Sequence, residues 1–129
     1  MHSKTQAQLI VVLAARGKSQ HVFVRPDLRL KIRPTLILIP DITVFRPDEP
    51  EGRCRGTPPF IAIEILSLDD KLSDVRDKLE TYRTWGVPHV WLVDPHSRRM
   101  YTCDHGLMEV ETLQIPELGL TLTPAEVFG

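Results

Sequence analysis

A chain of 129 residues with 42% apolar and 26% charged side chains fits one globular domain, residues 1–129, that can bury a core of its own. No apolar stretch approaches the roughly 20 residues of a membrane span, and a formal net charge of −1 excludes a uniformly basic nucleic-acid binder. The charge is unevenly spread, though: residues 1–40 carry seven Lys or Arg against the single Asp27, and the remainder carries nine against sixteen acids. A basic region beside an acidic one suits a phosphodiester substrate; a solvated strand face is the alternative.

Thr5 to Arg16 reads as a helix with Gly17 as C-cap. Its apolar run, Leu9 to Ala15, is followed rather than preceded by positive charge, the reverse of a secretory leader. His21 to Ile32 alternates as a strand broken near Pro26, and Leu36 to Phe45 is the next strand. Arg46 to Pro59 is a loop rich in Pro, Gly and charge. Ile61 to Leu66 reads as a buried strand, and Ser67 as N-cap of a helix with Asp69 and Asp70 in its first turn, ended near Trp85 by Gly86 and Pro88. His89 to Asp94 is an apolar strand, turned at Asp94–Ser97 into an antiparallel Arg99–Asp104. A short strand near Met108–Thr112 and a segment from Leu118 to Phe128 close the chain. The order α-β-β-β-α-β-β is that of an α/β domain, a mixed β-sheet flanked by helices. Cys54 and Cys103 form neither a CxxC pair nor a zinc pattern. They read as free thiols in a reducing cytoplasm, with one disulfide as the alternative.

Two acids stand where apolar residues are expected. Glu64 lies inside Phe60-Ile61-Ala62-Ile63-Glu64-Ile65-Leu66, and Asp41 interrupts Leu36 to Phe45. An unpaired charge in a buried strand costs several kcal/mol or neutralises. Two such carboxylates suggest one shared site, and a divalent cation is the simplest thing that would accommodate both. In the following helix, Leu72, Val75, Leu79 and Tyr82 form an apolar stripe spanning roughly 80° at about 100° per residue. Lys78 falls about 40° outside it by the same rule, where its stem can follow the core while its ammonium reaches the strand end. The alternative is a surface lysine paired with Asp74 at i−4.

These residues carry a resemblance. Pro40-Asp41 followed by Glu64 on a later strand is the acidic part of the PD-(D/E)XK nuclease pattern. Pro-Asp alone is weak, since the dipeptide also starts at Pro26 and Pro47, but only Pro40-Asp41 lies in an apolar strand. The longer set is more specific: Ile63-Glu64-Ile65-Leu66-Ser67, Asp74, Lys78-Leu79-Glu80-Thr81-Tyr82, Gly86-Val87-Pro88 and Val90-Trp91-Leu92-Val93-Asp94-Pro95. Together they resemble the Uma-two family of "putative restriction endonucleases", a bacterial group abundant in cyanobacteria. The likeness covers about Leu36 to Tyr101.

The resemblance implies a restriction-endonuclease-like core and a metal-dependent DNA endonuclease. Asp41 and Glu64, with the backbone carbonyl of Ile65, would hold Mg²⁺ or Mn²⁺. The usual lysine lies two residues after the glutamate, where this chain has Leu66; Lys78, on the next helix, matches the displaced position. Its role would be to position or deprotonate the water or to neutralise developing charge. Tyr82, one turn on, and Asp74 are possible supporting residues, with a half-buried core tyrosine as the alternative for Tyr82. Family members usually carry a longer N-terminal region. Part of it is expected to be missing here, leaving a bare sheet edge for a partner subunit. Gln6 and Gln8 stand where some nucleases of the superfamily place an extra acid, so no helix-borne ligand is expected.

The five histidines lack metal spacing, and each reads as a surface or turn residue. No phosphate-binding glycine loop and no GxSxG elbow are present, which argues against an NTPase and an α/β-hydrolase. Trp85 and Trp91 read as packing the helix on the sheet. One site cuts one strand, which leaves room for a homodimer. The alternative function is a nuclease-like fold that no longer cleaves and acts as a binding or assembly module. An RNA or junction nuclease would use the same residues.

Overall fold

The computed structural model describes residues 1–48 and 54–129, with the backbone only of Cys54 and Arg55. Its elements are α1 (His2–Arg16), β1 (Phe23–Pro26), β2 (Arg29–Arg33), β3 (Leu36–Leu38), β4 (Ile42–Phe45), β5 (Cys54–Arg55), β6 (Ile61–Ile65), α2 (Leu72–Trp85), β7 (His89–Asp94), β8 (Arg99–Cys103), β9 (Leu107–Val110), β10 (Leu113–Ile115), β11 (Leu120–Leu122) and α3 (Pro124–Phe128). The main sheet runs β1-β4-β6-β7-β8-β9, with β3-β2-β5 and β10-β11 as small separate sheets. Only β6 and β7 are parallel within the main sheet, joined through α2 as a crossover. This is the expected α/β class with a mixed sheet flanked by helices.

Strand alternation sorts the core into two layers. Ile61, Ile63 and Ile65 face α1 with Leu9, Leu13, Ile42, Val44, Trp91 and Val93. Ala62, Phe45, Val90 and Leu92 face α2 with Val75, Leu79 and Tyr82. Trp85 packs with the α2 layer, as expected, whereas Trp91 has the opposite parity and packs with the α1 layer. The end of the chain closes the α1 layer: Leu113, Ile115, Leu118, Leu122 and Val127 are all buried there. A capping box between Thr123 and Glu126, with Pro at the first position, starts α3.

Several boundaries depart from the sequence reading. α1 extends to His2, and Gly17 ends it at φ −93°, not in the left-handed conformation. Glycine is required at 17 for space, since a Cβ would lie 2.3 Å from Val22 Cγ2. Gly86 caps α2 at φ 111°, the left-handed conformation that favours glycine. The expected Leu36–Phe45 strand is two strands in different sheets, broken at Ile39-Pro40-Asp41, because proline cannot donate to a ladder. The His21–Ile32 strand is likewise divided, with Asp27 at φ 49° between β1 and β2. Ser67 does not cap α2. Its N–H donates to Asp70 Oδ2 in a turn ahead of the helix, whose N-cap is Lys71, so Asp69 and Asp70 precede the first turn. Leu72 is 44% exposed, leaving Val75, Leu79 and Tyr82 as the buried stripe. Cys103 is a buried free thiol. The expected loop at Arg46 to Pro59 falls partly outside the described residues and contains β5, parallel to β2. Among the described residues no helix is long and apolar enough to cross a membrane.

Candidate active site

Register brings the two acids together. Ile42 of β4 stands opposite Ile63 of β6 in antiparallel pairing. One step further along the same register sets Asp41 opposite Glu64. Asp41 is therefore not inside a strand, as expected from sequence, but at the bend just before β4. There its backbone has left the ladder and its side chain can turn across the end of β6. Asp41 Oδ2 accepts a hydrogen bond from the Ile65 N–H at 2.7 Å, and Asp41 Oδ1 lies 3.1 Å from His2 Nε2. The Asp41 carbonyl accepts from Gln6 Nε2 at 2.9 Å and from the Asp27 N–H at 3.3 Å. The bend is thus tied to α1 on one side and to β6 on the other.

Glu64 shares the parity of Ala62 and points into the α2 layer, where it is 7% exposed. Tyr82, fully buried on α2, donates its hydroxyl to Glu64 Oε2 at 2.7 Å. Burial above all, and then the Asp41 charge, push the Glu64 carboxyl up to about 8. The Tyr82 hydroxyl and the Lys78 ammonium oppose that rise, and Asp70 adds to it. Tyr82 itself is raised well above the ordinary phenol range by burial and by the adjacent Glu64 and Asp41 charges. Replacing Tyr82 by Phe removes the hydrogen bond to the ionised carboxylate. The expected loss is about 1.5–3 kcal/mol at alkaline pH, read by urea denaturation at pH 9 in EDTA.

Lys78 is exposed on α2 and acts electrostatically on Glu64. Leu66, at the position where a lysine is usual, is partly buried against the α2 layer. The lysine that acts electrostatically on Glu64 is therefore carried by the helix. Asp74 sits in the first turn of α2, exposed, where it complements the helix dipole. Among the described residues it forms no ion pair with Lys78 and no hydrogen bond with the two acids. The structure thus assembles Asp41, Glu64, Tyr82 and Lys78, and leaves Asp74 aside.

His2 and Gln6 were missed. Read from sequence, the histidine was an isolated surface residue and the glutamine a lost acid. Both belong to the helix face that covers the Asp41 bend, and their spacing of four residues was the available signal.

Among the described residues no three or more His, Cys, Asp and Glu side chains gather as a metal cluster. Two carboxylates nevertheless fit a hard cation such as Mg²⁺, which keeps most of its waters and takes one or two carboxylates. A buried carboxyl raised to about 8 beside a second acid is an arrangement that a cation would relieve. Two larger clefts, of about 410 and 590 Å³, have walls that include none of Asp41, Glu64 and Lys78.

Comparison with known proteins bears on the family and the fold. A family model, Uma2, described as "Putative restriction endonuclease", matches residues 1–129. The chain is similar in fold to a "putative nuclease belonging to DUF820" from Anabaena variabilis ATCC 29413. The TM-score is 0.84 at 22% identity, over 98% of this chain and 79% of that one. No curated protein matches the chain.

Proposed function

The chain belongs to the Uma2 family, and from that membership and the paired acids we propose that it is a Mg²⁺- or Mn²⁺-dependent DNA endonuclease of the PD-(D/E)XK type. The observation that carries the reading is Glu64: a buried carboxyl opposite a second acid, held by a tyrosine and faced by a lysine. A buried Arg neutralising Glu64 would have favoured the inactive binding module, and among the described residues Glu64 has no such partner.

Asp41 and Glu64 would hold the metal, together with the Ile65 carbonyl. Ile65 ends β6, and in an extended strand the N–H and C=O of one residue point to the same side; here the N–H points at Asp41. When bound, the metal would lower the pKa of water and neutralise charge on the phosphate. The chain's own residues do the rest. Tyr82 fixes the Glu64 carboxylate and donates to its ionised form. The Ile65 N–H and His2 fix Asp41, and Gln6 anchors its backbone to α1. Lys78, exposed on α2 and acting electrostatically on Glu64, would hold the attacking water or stabilise charge building on the phosphate.

The test is cleavage of supercoiled plasmid, linear duplex, single strand and branched junction in Mg²⁺, Mn²⁺ and EDTA. Metal-dependent cutting is expected, reduced on the order of 10²–10³-fold in Lys78→Met, with the fold retained because Lys78 is exposed. Absence of cutting by folded wild type, with no metal-induced rise in Tm, would overturn the reading. Preference for a junction or for RNA would redirect it to a different substrate.

A further inference from the structure

The basic segment noted in the sequence is not used by the paired acids. From Leu28 to Pro40 the chain contains no acid and three cations, Arg29, Lys31 and Arg33. All three lie on β2, and all three are exposed, while Leu30 between them is fully buried and Ile32 is partly buried. Strand alternation therefore sets Arg29 and Lys31 on one outward face, and Arg33 follows the bulge between Lys31 and Arg33, exposed at the turn end of the hairpin. Among the described residues none of the three forms an ion pair. The inward face of the hairpin, Leu28, Leu30, Ile32 and Leu38, packs on the α2 layer beside Phe45 and Tyr82. The row is thus mounted on the core rather than on a free arm.

Both legs of the β2–β3 hairpin begin at the Asp41 bend. Asp27, two residues before Arg29, donates its N–H to the Asp41 carbonyl, and Gln6 Nε2 bridges the Asp27 side chain and that same carbonyl. On the other leg, Leu38 pairs with Leu30 and is joined to Asp41 through Ile39 and Pro40 alone. The cations therefore leave the acidic site in series, with a pitch of about 6.6 Å and a reach from Arg29 to Arg33 of about 13 Å. Duplex DNA presents one phosphate per about 3.4 Å of axis along each strand, so this reach corresponds to roughly four phosphate steps.

We propose that the outward face of the β2–β3 hairpin grips the phosphate backbone of duplex DNA, with Arg29, Lys31 and Arg33 leading from the flank to the phosphate held at Asp41 and Glu64. The proposal rests on the nuclease reading for its substrate. It accounts for an overall acidic chain engaging a polyanion, because the positive charge is concentrated where the strand must pass the two acids.

The test is the salt dependence of binding to a short fluorescein-labelled duplex, with Ca²⁺ replacing Mg²⁺ so that the probe stays intact. Arg29→Gln/Lys31→Gln/Arg33→Gln alters exposed side chains only, and its fold is checked by circular dichroism. Each lost phosphate contact removes about 0.9 from the slope of log K against log salt. The triple variant is thus expected to be shallower by about 2.7 and weaker on the order of a hundredfold at 0.15 M salt. Lys18→Gln serves as the charge control. Lys18 follows the far end of α1, about 20 Å along the helix from His2, and its slope should match wild type. An unchanged slope in the triple variant overturns the proposal, as does an equal per-charge loss in Lys18→Gln, which would reveal only a diffuse field. Plasmid cleavage measured alongside separates the two readings. A cutting enzyme with a hairpin-independent slope defeats the hairpin alone, whereas a hairpin-dependent slope without cutting defeats the nuclease alone. Failure of wild type to bind the duplex defeats both.

Discussion

Glu64→Gln is expected to abolish metal-dependent DNA cleavage while making the metal-free protein more stable. The activity loss should be on the order of 10³-fold or more, since even an outer partner of a metal ligand is worth about 10–100-fold. The stability gain follows from proton linkage. The Glu64 carboxyl is raised from 4.5 to about 8 in the folded chain, so the native state binds this proton more tightly than the unfolded state. Its contribution is complete below pH 4.5 and is lost as pH rises through 8. Wild type in EDTA should therefore weaken from mildly acidic to alkaline pH, by on the order of 3–5 kcal/mol from this group. Gln has no charge to bury and still offers an oxygen to the Tyr82 hydroxyl. At pH 9 in EDTA the variant should melt on the order of 10 °C above wild type, and at pH 4 the two should coincide. Added Mg²⁺ should raise the Tm of wild type and leave the variant unmoved. A variant that melts below wild type at pH 9 would mean that the carboxylate is neutralised by a partner other than those named.

Asp41→Ala is expected to lose cleavage to a similar degree but with the opposite effect on stability. Asp41 is only partly buried, and each of its oxygens has one protein partner: one takes the Ile65 N–H and the other meets His2. Alanine leaves the Ile65 N–H at the end of β6 without its acceptor, a loss of about 1–3 kcal/mol. Removing the Asp41 charge also lowers the Glu64 carboxyl, because that charge is the second cause of its elevation. The pH-dependent weakening in EDTA should accordingly become smaller and shift to lower pH in Asp41→Ala. Denaturant titrations from pH 4 to 9 on wild type and both single variants would resolve the two roles. Equal stability changes from the two substitutions would contradict a division into one buried acid and one anchoring acid.

Much of the site was legible because burial makes a misplaced charge conspicuous. Glu64 stood out within an isoleucine-rich strand, and Asp41 within another apolar run. The periodicity of α2 set Tyr82 on the buried stripe and Lys78 beside it, and the structure brings all four together. What misled was continuity. Leu36 to Phe45 is apolar enough to be one strand, yet Pro40 lies where a ladder would need an N–H, and the chain changes sheets there. The same break frees Asp41 to turn across β6, so the local error concerned the very feature that builds the site. Ser67 has the chemistry of an N-cap, but its N–H is claimed by Asp70 and α2 starts later. The Thr123–Glu126 capping box is present in the sequence as Thr-Pro-Ala-Glu, a start signal for α3 that reading Leu118 to Phe128 as one undivided segment passes over.

By itself the sequence determined the α/β class and the β6-α2-β7 unit, and it singled out Asp41, Glu64 and Lys78 as candidates with Tyr82 and Asp74 as possible supports. These follow from patterns of period 2 and 3.6 in which each charged exception is visible against apolar neighbours. Only the tertiary structure decided the pairing of Asp41 with Glu64, the arrival of His2 and Gln6 from α1, the burial of the C-terminal hairpin and helix, and the rooting of the β2–β3 cations at the acidic bend. Those relations depend on register between distant strands and on which sheet a strand joins. Both are settled by the closing of a shared core, to which no single segment holds the information.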